Sequence, residues 1–172
     1  MKTRSVLAVA GVAAVLAVAP TYAYATCDPQ VENLAPARAA VSEELAALAP
    51  YKAGADSRDL TWVKDNVEKM VPDWLPNTKR IATQAKPDLV RLADDCYQAG
   101  QGTAKPDLTE FVACVKRGLL TEVFPEYVPE LPALCKEFEA ALADPAITDK
   151  SREWARHWVN EYVKYRETRP EQ

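Results

Sequence analysis

The sequence predicts an all-α protein: a disulfide-stapled bundle of five to six antiparallel helices joined by short, proline-bounded loops. Apolar residues recur every three or four positions through most of the chain, which is the spacing of one helix face. No stretch alternates apolar and polar residues for more than four positions, and only 5 glycines are present to form hairpin turns. The chain also has 4 cysteines, enough for two disulfides.

The first 25 residues have the pattern of a cleaved signal peptide. Two basic residues precede an apolar run at residues 6–19, and residues 23–25 form the small-x-small pattern of a signal-peptidase site. The apolar run is shorter than the roughly 20 residues that span a bilayer, which disfavours an uncleaved anchor. We therefore expect residues 26–172 to form a single helical domain that is periplasmic or secreted.

The net charge argues against two classes of partner. The chain has a formal net charge of −4, and removal of residues 1–25 would take away Lys2 and Arg4 but no acid, which leaves −6. Nucleic acids and anionic membrane surfaces both attract basic proteins. We therefore expect no nucleic-acid partner and no stable membrane insertion after signal cleavage.

Two helices are predicted before residue 72. Residues 31–48 are rich in Ala, Leu and Glu, and residues 50–55 form a connection. Asp56 can cap the second helix through its side chain, and Pro72 ends that helix because proline cannot continue it. The apolar stripe of the second helix consists of Leu60, Val63, Val67 and Met70.

A repeated Pro-acid-Leu pattern predicts three further helix starts, at residues 87–89, 106–108 and 129–131. Proline suits the first helical position, since its missing N–H would have no partner there, and an adjacent acid meets the positive end of the helix dipole. A helix that begins near Asn77 is therefore expected to break or kink at Pro87. A cysteine follows each copy of the pattern: Cys96, Cys114 and Cys135.

Two more features complete the predicted chain. Three prolines within residues 125–132 predict a stiff connection. After it, Asp144 closes the penultimate helix, and Thr148 or Asp149 caps a last helix that runs to about Arg166.

The cysteines Cys27, Cys96, Cys114 and Cys135 predict two disulfides in an exported chain. A zinc site is disfavoured, because no two cysteines have Cys-x-x-Cys spacing and the only histidine is distant in sequence. If the three cysteine-bearing helices run up, down and up, Cys96 and Cys135 lie too far apart to pair. Two schemes remain: the favoured Cys96–Cys114 with Cys27–Cys135, and the alternative Cys27–Cys96 with Cys114–Cys135.

The last predicted helix carries four aromatic residues on one face: Trp154, Trp158, Tyr162 and Tyr165. One interpretation is a core stripe that docks the helix on the rest of the protein. The other is a binding face for a partner protein or an apolar ligand, since Trp and Tyr are common anchors at interfaces. Two aromatic-proline corners either lock loop geometry or contact a partner, and they contain Trp74, Phe124 and Tyr127.

No motif in the sequence indicates catalysis. His157 lies one turn from Glu153 and from Glu161, a column that is more typical of surface charges than of a metal site. Asp94 and Asp95 point in different directions on a helix and make a poor acid–base pair. Nucleotide-binding, nucleophile-elbow and zincin patterns are not found in the sequence. We therefore expect no catalytic residue, metal or cofactor.

These observations predict an exported, non-enzymatic helical protein that binds another protein, as an accessory subunit of an envelope or extracellular assembly. The alternative hypothesis is a carrier of a small apolar ligand held between helices, as bundles often provide. The two hypotheses differ in what the aromatic face of the last helix contacts.

Overall fold

A computed structural model describes residues 34–52, 57–101, 113–115 and 117–169, and all regular structure in these ranges is helical. The predicted all-α class is therefore confirmed, whereas the antiparallel bundle arrangement stays a prediction. The α-helices whose full length is described are α1 (Leu34–Ala46), α2 (Ser57–Asn66), α3 (Pro76–Gln101), α4 (Leu131–Ala143) and α5 (Ile147–Thr168). The predicted signal peptide, Cys27 and the second Pro-acid-Leu repeat lie outside the described residues.

Helix α3 continues through Pro87, so the predictions that a helix starts at this proline or is broken there are wrong. Proline removes one hydrogen bond from the helix interior, which normally disfavours that position. Here Pro87 is exposed, while Ala85, Leu92 and Cys96 on either side of it are buried in one apolar cluster. Burial of both halves of the helix against the same cluster offsets the lost hydrogen bond.

The connection that was predicted to be stiff forms π-helical and 3-10 turns instead of an irregular loop. Leu119–Val123 is π-helical, and the Phe124 backbone N–H donates to the Leu119 carbonyl, five residues earlier. Phe124–Glu130 is a 3-10 helix that ends where the Leu131 N–H donates to the Val128 carbonyl. The prolines in this region have no N–H to donate, so a regular α-helix cannot run through it. We call these two stretches together the Leu119–Glu130 segment.

Two acidic side chains fix the starts of the longer helices. The Glu137 carboxylate of α4 accepts hydrogen bonds from the backbone N–H groups of Asn77 (2.6 Å) and Thr78 (2.9 Å), and so joins α4 to the start of α3. Asp144, not Thr148 or Asp149, orders the start of α5: its carboxylate accepts from the Ala146 N–H at 2.8 Å. Hydrogen bonds from Lys150 and from this N–H lower the pKa of Asp144.

The described core consists of three apolar clusters. The first joins α3 to the Leu119–Glu130 segment, the second joins α2 to α5, and the third lies around Val71 and Leu75 before α3. Helix α1 packs along α5, and each contributes an alanine that is only 1% exposed, Ala40 and Ala155. Small side chains at such a contact allow two helices to approach closely.

Candidate functional site

Three of the four predicted aromatic residues of α5 surround a single side chain of α2, Trp62. The ring centroid of Trp62 lies 5.2 Å from that of Tyr162, 5.7 Å from that of Tyr165 and 6.3 Å from that of Trp158. Such edge-to-face and offset arrangements are the ones that aromatic pairs favour. The face therefore docks α5 onto α2, and a role in binding stays a prediction.

The fourth aromatic residue, Trp154, makes a different contact. Its indole Nε1 donates a hydrogen bond of 2.7 Å to the backbone carbonyl of Met70, in the turns that follow α2. Met70 is 4% exposed, so its backbone carbonyl is shielded from water and needs a donor from the protein. The indole of Trp154 in α5 is that donor. Trp154 thus fixes the first half of α5, as the Trp62 contacts fix the second half.

A fully buried carboxylate lies beside the aromatic contacts. Asp59, in the first turn of α2, is 0% exposed. It accepts hydrogen bonds from the Tyr162 hydroxyl (3.0 Å), the Arg166 guanidinium (3.0 Å) and the Arg169 guanidinium (3.1 Å). The Arg169 guanidinium also lies 5.9 Å from the centre of the Tyr165 ring. We call these residues the Asp59 cluster.

The Asp59 cluster holds two helices together and is not a reactive group. Burial, and then the nearby Asp59 charge, raise the pKa of Tyr162, so this phenol keeps its proton at neutral pH and its O–H donates a hydrogen bond to the carboxylate. Arginine keeps its charge at any physiological pH. The cluster therefore joins the start of α2 to the end of α5 through charge-assisted hydrogen bonds.

The structure pairs Cys96 with Cys114 at a Cα–Cα distance of 5.7 Å, as the favoured scheme predicts. This bond rules out the alternative scheme, in which Cys96 would pair with Cys27. It holds α3 against the helical residues that lead into the Leu119–Glu130 segment. Cys135 is also disulfide-bonded, and its predicted partner, Cys27, lies outside the described residues.

The remaining predicted residues have surface or packing positions. Asp94 forms an ion pair with Lys64, with Nζ and Oδ1 2.6 Å apart. His157 is exposed, and no group of three His, Cys, Asp or Glu side chains suited to a metal occurs in the described ranges. Trp74 packs on the cluster around Val71. None of the described helices combines the length and the apolar content needed to cross a membrane.

The Leu119–Glu130 segment contains the exposed apolar residues that sequence analysis missed. Phe124 and Tyr127 are half-buried against the α3 cluster, so this predicted corner fixes the segment in place. Leu120 and Val128 point outwards, with 43% and 48% of their surface exposed. The sequence carried no signal that Leu120 is exposed, because adjacent positions such as i+3 and i+4 can both belong to the apolar face of a helix.

Comparisons of the chain with protein-family models, with curated proteins and with solved structures found no match. The geometry of the described residues is therefore the basis for the function proposed below.

Proposed function

We propose that this chain is an exported, non-enzymatic helical protein that binds another protein, as an accessory subunit of an envelope or extracellular assembly. One observation carries the proposal. Within the described residues, the large hydrophobic side chains that are exposed, Leu120 and Val128, both belong to the Leu119–Glu130 segment. The two side chains lie in one short segment of the chain, and exposed apolar patches are typical of interaction sites.

The backbone of this segment suits a binding role. Pro125 and Pro129 restrict its dihedral angles, and the Cys96–Cys114 disulfide holds the helical residues just before it. A surface that is ordered before binding loses little conformational entropy when a partner docks. The disulfide also supports the export half of the proposal, because stable disulfides form in oxidising compartments.

The alternative function, a carrier of a small apolar ligand, has less support. Its cavity was expected to be lined by the aromatic face of α5. Three of those aromatic residues instead contact Trp62, and Trp154 is hydrogen-bonded to the Met70 carbonyl. Protein binding is therefore the function that the geometry favours.

Site-specific photo-crosslinking in the native host tests protein binding. A photo-reactive residue in place of Val128 should give a discrete crosslinked product that contains a second protein. The same residue in place of Glu153, on the exposed side of α5, is the matched control and should not give that product. Recovery of uncrosslinked monomer alone from both positions contradicts the proposed function.

A further inference from the structure

The order of the cysteines along the chain differs from the order in which they pair. In the sequence Cys27 comes first and is followed by Cys96, Cys114 and Cys135. The structure joins Cys96 to Cys114, and Cys135 is bonded as well, so the predicted Cys27–Cys135 pair encloses the observed one. Cys27 is therefore not bonded to Cys96, the cysteine that follows it in the chain.

The burial of Cys96 depends on residues that come after Cys114. Cys96 is 2% exposed, and the apolar cluster that buries it includes Leu119 and Val123. In a chain that leaves the cytosol with its N-terminus first, Cys96 is thus outside before the residues that cover it. During that interval Cys27 is the other cysteine that has left the cytosol.

This interval is long enough for a disulfide to form. Cys114 follows Cys96 by 18 residues, which takes about one to four seconds at a synthesis rate of about 5–20 residues per second. Disulfide formation with an efficient oxidant takes seconds. The oxidant of the receiving compartment therefore has time to join Cys27 to Cys96 before Cys114 arrives.

The fold brings Cys114 to Cys96 through a contact that does not involve sulfur. Leu92 precedes Cys96 by one turn of α3, and it lies so close to Gly118 that a Cβ atom on the glycine would be 2.1 Å from Leu92 Cδ1. Gly118 follows Cys114 by about one helical turn. With this contact made, the Cα atoms of the two cysteines lie 5.7 Å apart, within the range of a disulfide.

We propose that Cys27 and Cys96 form a transient disulfide during export and that the Cys114 thiol then exchanges into it, an inference that rests on the export part of the function proposed above. Packing of Gly118 on Leu92 delivers the Cys114 thiol to the Cys96 end of the transient bond. Cys114 is thus the residue that corrects the pairing.

Each step is a reaction of thiols with disulfides. The Cys27 and Cys96 thiols first give two electrons and two protons to a protein disulfide of the oxidising compartment, which becomes a dithiol. The Cys114 thiolate then attacks Cys96 Sγ, the Cys96–Cys114 bond forms, and Cys27 leaves as a thiolate that takes up the proton Cys114 lost. A second protein disulfide oxidises Cys27 and Cys135 in the same way as the first.

Pulse labelling in the native host, with acid quenching and alkylation of free thiols, traps the pairing at successive times. Peptide mapping without reduction should show the Cys27–Cys96 link in newly processed chains, and this link should disappear as Cys96–Cys114 appears. Direct formation of Cys96–Cys114, with no Cys27–Cys96 link at any time, overturns the proposal.

Refolding of the reduced, processed protein in glutathione buffer is the control for order of export. All the cysteines are then available at once, so the shorter Cys96–Cys114 loop should close first. Equal amounts of the Cys27–Cys96 link during refolding and in the host would overturn the role of export order.

Removal of single cysteines identifies the attacking thiol. Cys114→Ser should change the Cys27–Cys96 link from a transient to the major pairing. Cys135→Ser is the matched control, because it also removes one cysteine but should form Cys96–Cys114 and leave Cys27 reduced. A Cys114→Ser protein with a Cys27–Cys135 link and a free Cys96 thiol overturns the role of Cys114.

Gly118→Ala keeps all four cysteines and tests whether packing directs the exchange. The clash with Leu92 should hold Cys114 away from Cys96, so the transient link should persist longer than in the parent protein. Val63→Ala is the matched control, since it leaves a cavity in the cluster that joins α2 to α5. Equal persistence in both variants overturns the role of this contact, because the delay would then reflect lower stability alone.

Signal cleavage separates a failure of export from a failure of the pairing route. A chain that keeps residues 1–25 and four free thiols contradicts the export proposal and this inference with it. A processed chain in which the Cys27–Cys96 link is never trapped contradicts the pairing route alone. Crosslinking at position 128 tests protein binding in either case.

Discussion

Asp59 shows how one residue can set the contact between distant parts of the chain. Removing a carboxylate from water is costly, and here two guanidiniums and a phenol compensate for the lost hydration. These partners lie 103 to 110 residues away in the sequence. In the sequence, Asp59 simply follows the predicted cap Asp56 by three residues, and nothing in that local spacing indicates that it is buried.

Replacement of Asp59 by Asn should lower the free energy of unfolding by about 3–5 kcal/mol, because it leaves two guanidiniums, 10% and 14% exposed, without their carboxylate. Urea unfolding followed by circular dichroism measures this loss. Asp73→Asn is the control: Asp73 pairs with Lys79, but its side chain is 90% exposed, so we expect a change within about 0.5 kcal/mol. Equal effects of the two substitutions would show that burial of Asp59 has no energetic consequence.

Tyr162 should make the protein less stable at alkaline pH. Burial raises the pKa of its phenol in the folded state above the ordinary value of about 10. Above pH 10 the unfolded chain loses this proton while the folded protein keeps it, so the free energy of unfolding falls by up to about 1.4 kcal/mol per pH unit. Below pH 10 this contribution is fully present.

The measurement is a series of urea unfolding curves between pH 8 and pH 11, with Tyr162→Phe beside the parent protein. The variant should be less stable at pH 8, since Asp59 loses a hydrogen bond, and its stability should fall less steeply above pH 10. Parallel decreases in the two proteins would mean that Tyr162 titrates normally.

At the scale of elements, the sequence predicted the helix features that depend on the spacing of nearby residues, such as shared faces and helix starts. The steps of four, four and three predicted one helix that carries four aromatic residues, and three of these, Trp158, Tyr162 and Tyr165, contact Trp62. The start of α4 next to Glu130 also follows from the third Pro-acid-Leu repeat. Pro87 carries the same local signal, but burial on both sides of it makes α3 continuous, and that information comes only from tertiary packing.

Pro87→Ala should raise the free energy of unfolding by about 1–2 kcal/mol. It restores a backbone N–H inside α3, and this gain exceeds the added entropy of the unfolded chain. Pro76→Ala is the matched control, because Pro76 is the first residue of the same helix, where proline is favourable, and no gain is expected there. Destabilisation by Pro87→Ala would indicate that α3 is interrupted at this residue. Thermal and urea unfolding give the comparison.

Gly118 controls the distance between α3 and the helical residues before the Leu119–Glu130 segment. A Cβ atom at this position would lie 2.1 Å from Leu92 Cδ1, and Leu92 is 5% exposed, so it has little room to move. Gly118→Ala should therefore lower the free energy of unfolding by about 1–2 kcal/mol, despite the better helix propensity of alanine.

A double-mutant cycle with Leu92→Ala isolates this contact. Leu92→Ala alone should be destabilising, because it leaves a cavity. In that background the clash is absent, so Gly118→Ala should become neutral or stabilising. The same loss in both backgrounds would assign the effect of Gly118 to the backbone instead of to Leu92.

At the scale of the whole molecule, the disulfides add to contacts that are otherwise spread over three separate clusters. The Cys96–Cys114 bond spans 18 residues and holds together the two elements of the first cluster. In the loop-entropy description, a bond of this span contributes about 3 kcal/mol. A bond between Cys135 and Cys27 would close a much longer loop and contribute about 5 kcal/mol on the same basis.

Peptide mapping without reduction tests this pairing in protein taken from its native compartment. Cleavage after glutamate, for example at Glu68, Glu110 and Glu122, places the four cysteines on separate peptides. We expect the Cys96 peptide to be linked to the Cys114 peptide, and the Cys27 peptide to the Cys135 peptide. Each bond can then be removed by a pair of Cys→Ala substitutions. Loss of the Cys27–Cys135 bond, which closes the longer loop, should lower the free energy of unfolding by more than loss of the Cys96–Cys114 bond. A link between Cys114 and Cys135 would contradict the observed pairing, and it would leave α3 without the covalent tie that holds it beside the proposed binding segment.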